Sequence, residues 1–325
     1  MRTAFVMSGG GEKGAYGVGA LEHLLVDLNL DFDLYVGVSV GNLVGAWMAQ
    51  YPEDEKSEGF RGLKELFLGI ETEDVHRSWL WGSKYLGYVW AVLSGKPSLR
   101  CSAPLRELIQ RYLDPAKLRS SGKAFRAGAV SYSTGRYRVF SERDDPLPKI
   151  IEASAAYPLG LEPAELEGQW WGDGGIRTLT PIKAAIEAGA ERIVAVTLAA
   201  SDPEDHFSSD PSLVDVGLRT IGLQNEEIVT SDIRIAQLYN LAIALAAKLE
   251  EVGVSDAEVD AAVQEAGFPS DYASKKLVPI VHIRPERSLA TPVLEFSKGE
   301  SRRIFDLGRA DAVAAMSAAG SAWLP

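Results

Sequence analysis

The chain carries one cysteine, Cys101, in 325 residues. That excludes a disulfide framework and a multi-cysteine metal centre within the molecule. Basic residues are outnumbered: 33 Lys and Arg against 45 Asp and Glu leave a net charge of −12. A nucleic-acid binder carries the opposite balance. A protein this acidic also does not dock on anionic membranes by overall charge alone. No apolar run approaches the ~18 residues of a membrane-spanning helix. The opening MRTAFVMSGGGEKGAYG lacks the apolar stretch of a secretion signal. Repeats and low-complexity tracts are absent, while 46% hydrophobic residues suffice for a sizeable core. The expectation is a soluble, cytoplasmic globular protein that binds no nucleic acid.

What is present alternates short apolar runs with helical periodicity. Thr3 to Met7 is apolar and ends in Ser8 and three glycines, a buried strand entering a tight turn. Val18, Leu21, Leu24, Leu25 and Leu28 then recur at helical spacing. Leu34 to Val38 is a second short strand, followed by Ser39 and a helix over Leu43 to Ala49. This repeated order predicts an α/β fold on a parallel sheet with right-handed crossovers. Gly128 to Phe140 predicts two β runs around a Ser-Thr-Gly turn. Glu165 to Trp171 and Arg192 to Leu198 predict further strands, and Leu213 to Glu251 a long helical stretch.

Three motifs carry chemistry. The first, Gly9-Gly10-Gly11-Glu12-Lys13-Gly14, fits G-x-G-x-x-G between a strand and a helix, with Asp31 and Asp33 about 20 residues on. Such a loop presents backbone N–H groups and a positive helix end to an anion. The anion is either a dinucleotide pyrophosphate or the oxyanion of a tetrahedral intermediate. A ligand-free tight turn is the plainer alternative. Lys13 either adds positive potential for a phosphate headgroup or sits exposed in the first helical turn.

The second motif is Gly37-Val38-Ser39-Val40-Gly41, G-x-S-x-G between a strand and a helix. Its glycines allow a strained elbow that lifts the Ser39 hydroxyl off the sheet, with the Val40 N–H facing the same point. Both motifs then lie at one C-terminal sheet edge.

The third is the base. Of four histidines, His23 reads as a packing residue and His76 as a surface one. His206 and His282 have the chain order of a Ser-Asp-His triad but no supporting signature. Asp173 has one: Gly172-Asp173-Gly174-Gly175 follows two tryptophans that can desolvate the carboxylate and strengthen it as a base. Taken alone, the same residues read as an Asp-Gly hairpin turn.

Together these motifs resemble the patatin-like phospholipase family, in that family's order. Pro104 to Leu108, Ala153 to Pro158 and Gly308-Arg309-Ala310 look similar to family segments as well. The likeness is firm over roughly residues 3 to 200. It implies one domain over 1–325, with a three-layer fold, a central mainly parallel sheet and helical insertions. It implies Ser39 as nucleophile, Asp173 as base in a Ser–Asp dyad, and the Gly10 and Gly11 amides as oxyanion hole. Gly9 and Gly14 shape that loop, Gly37, Val40 and Gly41 the elbow, and Gly174 and Gly175 the Asp loop. No cofactor and no metal is implied.

The substrate would be a lipid or phospholipid ester, cleaved in a phospholipase A or lysophospholipase-like reaction, with peripheral membrane contact. An acyltransferase built on the same dyad is the near alternative, and a dinucleotide oxidoreductase on Gly9 to Gly14 the distant one. Two departures stand out. Thr180-Pro181 replaces the Asn-Pro of many relatives, and Asp210 to Lys276 has no counterpart, so 210–276 reads as a helical insertion or cap. The segment Trp79 to Leu93 (WLWGSKYLGYVWAVL) is either a helix packed on the core or a cap near the acyl-chain site or a lipid surface.

Overall fold

The computed structural model describes residues 1–80, 84–201, 210–265, 276–289, 294–320 and Trp323. Strand β1 (Thr3–Met7) runs through the glycine turn into helix α1 (Gly14–Glu22). Strand β2 (Leu34–Gly37) turns at Ser39 into α2 (Val40–Met48). Five helices follow: α3 (Lys56–Gly69), α4 (Thr72–Val75), α5 (Lys84–Leu93), α6 (Ala103–Tyr112) and α7 (Pro115–Ser120). β3 (Ala124–Ser131) and β4 (Tyr137–Ser141) form a hairpin, α8 (Leu147–Ser154) follows, and β5 (Ala164–Leu166) and β6 (Gln169–Asp173) form a second one. Then come α9 (Ile182–Glu187), β7 (Arg192–Val196), α10 (Leu213–Glu251), α11 (Asp256–Glu265), β8 (Ile280–Ile283) and α12 (Lys298–Ala319). The expected strand at Glu165 to Trp171 is thus a hairpin. It reverses at Glu167 and Gly168, both at positive φ (53° and 72°).

The sheet runs in the order β5-β6-β3-β2-β1-β7-β8, with β4 also on β3. Strands β3, β2, β1, β7 and β8 are parallel; β4, β5 and β6 are antiparallel additions. Side chains alternate across a strand, so β1 feeds two cores. Phe5 and Met7 join Tyr16, Leu21 and Phe305 on the face covered by α1 and α12. Ala4 and Val6 join Ile182 and Ala185 of α9 and Ile233 of α10 on the other. This gives helix–sheet–helix layers, and every residue of β1 is buried.

The register of β3 decides where the chemistry meets. Residues 126 and 127 pair with both β2 and β4, which therefore lie on opposite edges of β3. Residues 129 and 130 pair with both β4 and β6, so β6 shares the β2 edge. β2 ends with Gly37 opposite Ala127, and β6, running the other way, ends with Asp173 opposite Ala129. The two strands meet end to end, and Ser39 and Asp173 leave the sheet at that junction.

Candidate active site

Ser39 takes φ 55° and ψ −129° at the first turn of α2. A non-glycine residue in that region is strained and is held there by its neighbours. Its N–H donates to the Ser154 carbonyl at 2.9 Å. Asn42, fully buried one turn on, donates from Nδ2 to the carbonyls of Ser39 and Ile151, both at 3.1 Å. Gly41 lets the elbow close on β1: a Cβ there would stand 2.2 Å from the Met7 carbonyl oxygen. Sequence reading missed Asn42, because a buried asparagine in an apolar helix has no signature without its acceptors.

Asp173 is 3% exposed. Its Oδ1 accepts from the Gly175 N–H at 2.8 Å. Oδ2 is buried and has no partner at full hydrogen-bond geometry among the described residues. Burial raises the Asp173 pKa from 3.8 to about 6, held back by the Gly175 N–H and the nearby Ser39 hydroxyl. At neutral pH the group is therefore largely ionised, with one oxygen open beside Ser39. Contacts of this kind are often long or poorly aligned before substrate binds. Trp170, on the opposite face of β6 and half exposed, does not supply the desolvation. Trp171, buried and on the Asp173 face of β6, remains, and three tyrosines feel the same carboxylate. Tyr132, Tyr137 and Tyr157 have hydroxyl pKa values raised by burial and also by the Asp173 charge.

In the glycine loop, the Gly9 N–H is taken by the Leu179 carbonyl at 3.3 Å and is not free to donate into the cavity. The Gly10 and Gly11 N–H groups donate to nothing among the described residues. Gly14 lies at the start of α1, where a Cβ would meet Val40 Cγ2 at 2.4 Å; it is a packing position against the elbow. Ser8 Oγ accepts from the Leu198 N–H at 3.0 Å, and the Glu12 carboxylate accepts from the Leu294 N–H at 2.9 Å, so the loop is clamped on both sides.

These groups open into a cavity of about 940 Å³. Gly10, Gly11, Lys13, Ser39, Val40 and Asp173 line it, together with apolar side chains of α2, α3, α6 and the first half of α10. Its volume sits at the upper end of the roughly 300–1,000 Å³ typical of ligand sites.

Asp232 of α10 was not singled out by sequence. Its Oδ2 accepts from the N–H groups of Leu179 and Thr180 at 2.9 and 2.8 Å. It braces the loop after Asp173, where Thr180-Pro181 stands in place of Asn-Pro. Burial raises its pKa to about 6, against those two donors.

No described histidine lines the cavity. His23 is paired with Asp27 at 2.9 Å. His76 is buried rather than on the surface, bonded through Nε2 to the Leu294 carbonyl at 2.6 Å. His282 sits on β8 beside Thr197, at 2.8 Å. Burial, helped by Arg100 and Arg284 respectively, lowers the pKa values of His76 and His282 to about 4. His206 and Trp81 lie outside the described residues.

A dinucleotide site needs an acid at the end of β2. Asp31 and Asp33 instead precede β2, on the sheet edge opposite the glycine loop. Asp33 accepts from the Thr3 N–H at 2.7 Å, and Asp31 pairs with Lys123. The ribose contact of a Rossmann site is missing.

Among solved structures, the chain is similar to VipD from Legionella pneumophila at 12% identity and a TM-score of 0.47, over 98% of this chain and 67% of that one. The model of the family described as patatin-like phospholipase matches residues 5–186. That stretch holds the glycine loop, the Ser39 elbow and the Asp173 loop and exceeds half of the sequence: the chain belongs to the patatin-like phospholipase family.

Proposed function

We propose that the protein hydrolyses carboxyl esters of lipids, in a phospholipase A or lysophospholipase-like reaction, through an acyl-enzyme on Ser39. The observation that carries this reading is the buried, ionisable Asp173 with one unpartnered oxygen beside the strained Ser39. Ser39 Oγ attacks the ester carbonyl, and its proton passes to Asp173 Oδ2. The charge that builds on the carbonyl oxygen is taken by the Gly10 and Gly11 N–H groups, with Val40 N–H at the first turn of α2. The intermediate collapses, and the leaving alcohol takes the proton from Asp173. Water then attacks the acyl-enzyme with Asp173 again as base and releases the fatty acid.

A carboxylate lifted to about 6 is a better base than an exposed one. The amide donors supply the larger share, since loss of one such donor costs about 10²–10³ in rate. The apolar wall suits an acyl chain. Lys13 lines the cavity without an ion pair among the described residues and suits a phosphate headgroup. Lipid esters reside in aggregates, so contact with a lipid surface belongs to this reading. A fluorophosphonate probe, with an aryl ester as substrate, tests it. Wild type and His282→Ala should label and turn over, and Ser39→Ala should do neither. A label at another residue, or a folded but dead His282→Ala, would replace the dyad with another nucleophile or a triad.

A further inference from the structure

Helix α5 is built inside out. Its large apolar residues, Tyr85, Leu86, Val89, Trp90 and Leu93, follow one face at spacings of one helical turn, and all are exposed; Leu86 and Leu93 are 62% and 79% accessible. The side turned inward holds Gly87 and Ala91, with Tyr88 at its edge. Among the described residues, no other helix or strand packs extensively on α5. A helix in water normally has the reverse arrangement, and a contiguous apolar face of this kind marks an interaction site.

Two observations identify the occupant. The first is charge. Between Val75 and Arg106 the sequence has no Asp or Glu but five cations, Arg77, Lys84, Lys96, Arg100 and Arg106, in a chain of net charge −12. Arg106 is neutralised by Glu152 and Glu162. Arg77, Lys96 and Arg100 make no ion pair among the described residues; Lys96 lies over the Trp79 ring at 4.7 Å, and Arg100 donates to the Tyr88 hydroxyl at 2.9 Å. Acidic side chains are kept out of this segment, as they are from Pro115 to Ser141, and it is the stretch around α5 that also exposes an apolar face. The second is continuity: Tyr85 and Val89 are exposed and also line the 940 Å³ cavity that holds Ser39. The apolar face runs from the outside of α5 into the site.

Exposed aromatics and leucines with flanking cations are the composition of a helix that lies in the plane of a bilayer interface. We propose that the outer face of α5 is the surface by which the protein docks on a lipid bilayer containing anionic headgroups, with the mouth of the Ser39 cavity turned toward the membrane. The orientation rests on the hydrolase reading above; the docking itself does not.

The test uses the full chain as Ser39→Ala, so that binding is read without hydrolysis, and vesicles of phosphatidylcholine with and without phosphatidylglycerol. Flotation should show binding that is stronger with phosphatidylglycerol and weakens with salt. Adding Leu86→Glu and Leu93→Glu should lower it about tenfold or more, because the two most apolar anchors are lost and acid is placed at the interface. The same pair in the Ser39 background should leave aryl ester hydrolysis and the melting temperature unchanged. Binding that survives the pair, or no binding to either vesicle, overturns the proposal. So does a wild-type dimer in light scattering that the pair dissociates, since the face would then belong to a second copy. Absent aryl ester hydrolysis with intact, α5-dependent vesicle binding would remove the hydrolase reading and leave the docking surface standing.

Discussion

Replacing Asp173 by asparagine separates the catalytic cost from the structural cost of one carboxylate. In the folded protein the Asp173 pKa lies near 6 because burial opposes its charge, against an ordinary value of 3.8. That difference corresponds to roughly 3 kcal/mol. The sign follows from which state binds the proton more readily. Below pH 4 the group is protonated in both states and its burial costs little. As the pH rises toward 6, the unfolded chain ionises first and gains stability relative to the fold. Above about 6 the cost is complete. The fold therefore bears the full penalty at neutral pH, where the proposed hydrolysis calls for the ionised base.

Asparagine keeps the shape, its oxygen can accept from the Gly175 N–H, and its amide can face the Ser39 hydroxyl. Asp173→Asn should therefore be more stable than wild type above pH 6, by up to about 3 kcal/mol or roughly 5 °C in melting temperature. The gain should vanish toward pH 4. Asp232, also lifted to about 6, is present in both proteins and cancels in the difference. Activity moves the other way: loss of a general base lowers kcat by about 10²–10⁴. Wild-type kcat/KM should fall as the pH drops through 6. Melting curves of both proteins from pH 4 to 8, with aryl ester kinetics over the same range, test all of this. A stability difference that is flat with pH, or a variant less stable at pH 8, would refute the account of Asp173 as a buried, costly carboxylate.

Two further substitutions probe its neighbours. A Cβ on Gly10 would stand 2.6 Å from Leu198 Cδ1 and 2.8 Å from its Cβ. Gly10→Ala should thus shift the donor loop and lower kcat about tenfold or more, with KM nearly unchanged, because the amides act mainly in the transition state; a change in KM alone would count against the oxyanion role. Asp232→Ala removes the acceptor of two N–H groups and should cost about 1–3 kcal/mol of stability and lower kcat. Asp232→Asn, whose amide oxygen can take both bonds, should recover most of both, and equal losses in the two variants would mean that the charge, not the brace, matters.

The parts legible in sequence were those whose cause is local. β1 reads as a strand because Thr3 and the four apolar residues after it are buried on both faces. The elbow reads because Gly37 and Gly41 are needed wherever a serine turns this sharply against another strand. The rest depends on residues distant in the chain. The β5–β6 hairpin hides because Glu167 occupies a left-handed position that turn rules reserve for Asn or Gly. His76 reads as a surface residue among acids and aromatics, yet a carbonyl from Leu294, far along the chain, buries it. The adjacent tryptophans account for part of the desolvation of Asp173 through Trp171 alone, whereas Tyr132 and Tyr137 of the β3–β4 hairpin and Tyr157 after α8 are brought to it only by the fold. Asp232 is invisible for the same reason: its acceptor role exists only once α10 is laid across the start of α9.

That crossing ties the long helix to the candidate site. Leu179 donates its N–H to Asp232 on α10 and accepts from the N–H of Gly9 in the oxyanion loop. Its side chain fills the space beside Gly9 and Gly175, where an added Cβ would meet Leu179 Cδ1 at 2.6 and 2.2 Å. Gly175 in turn holds Oδ1 of Asp173. One leucine therefore touches α10, the donor loop and the base loop at once. The same helix lines the cavity through its first half. A substrate pressed against α10 pushes on the element that holds Leu179. Any shift of α10 by an ångström must be absorbed either by the Asp232 hydrogen bonds or by the glycine loop and the Asp173 loop together. Contacts this tight are stiff, so under the proposed hydrolysis a chain held against α10 would be coupled to the geometry at Ser39. Substitutions along the inner face of α10 should accordingly reach kcat and not substrate affinity alone.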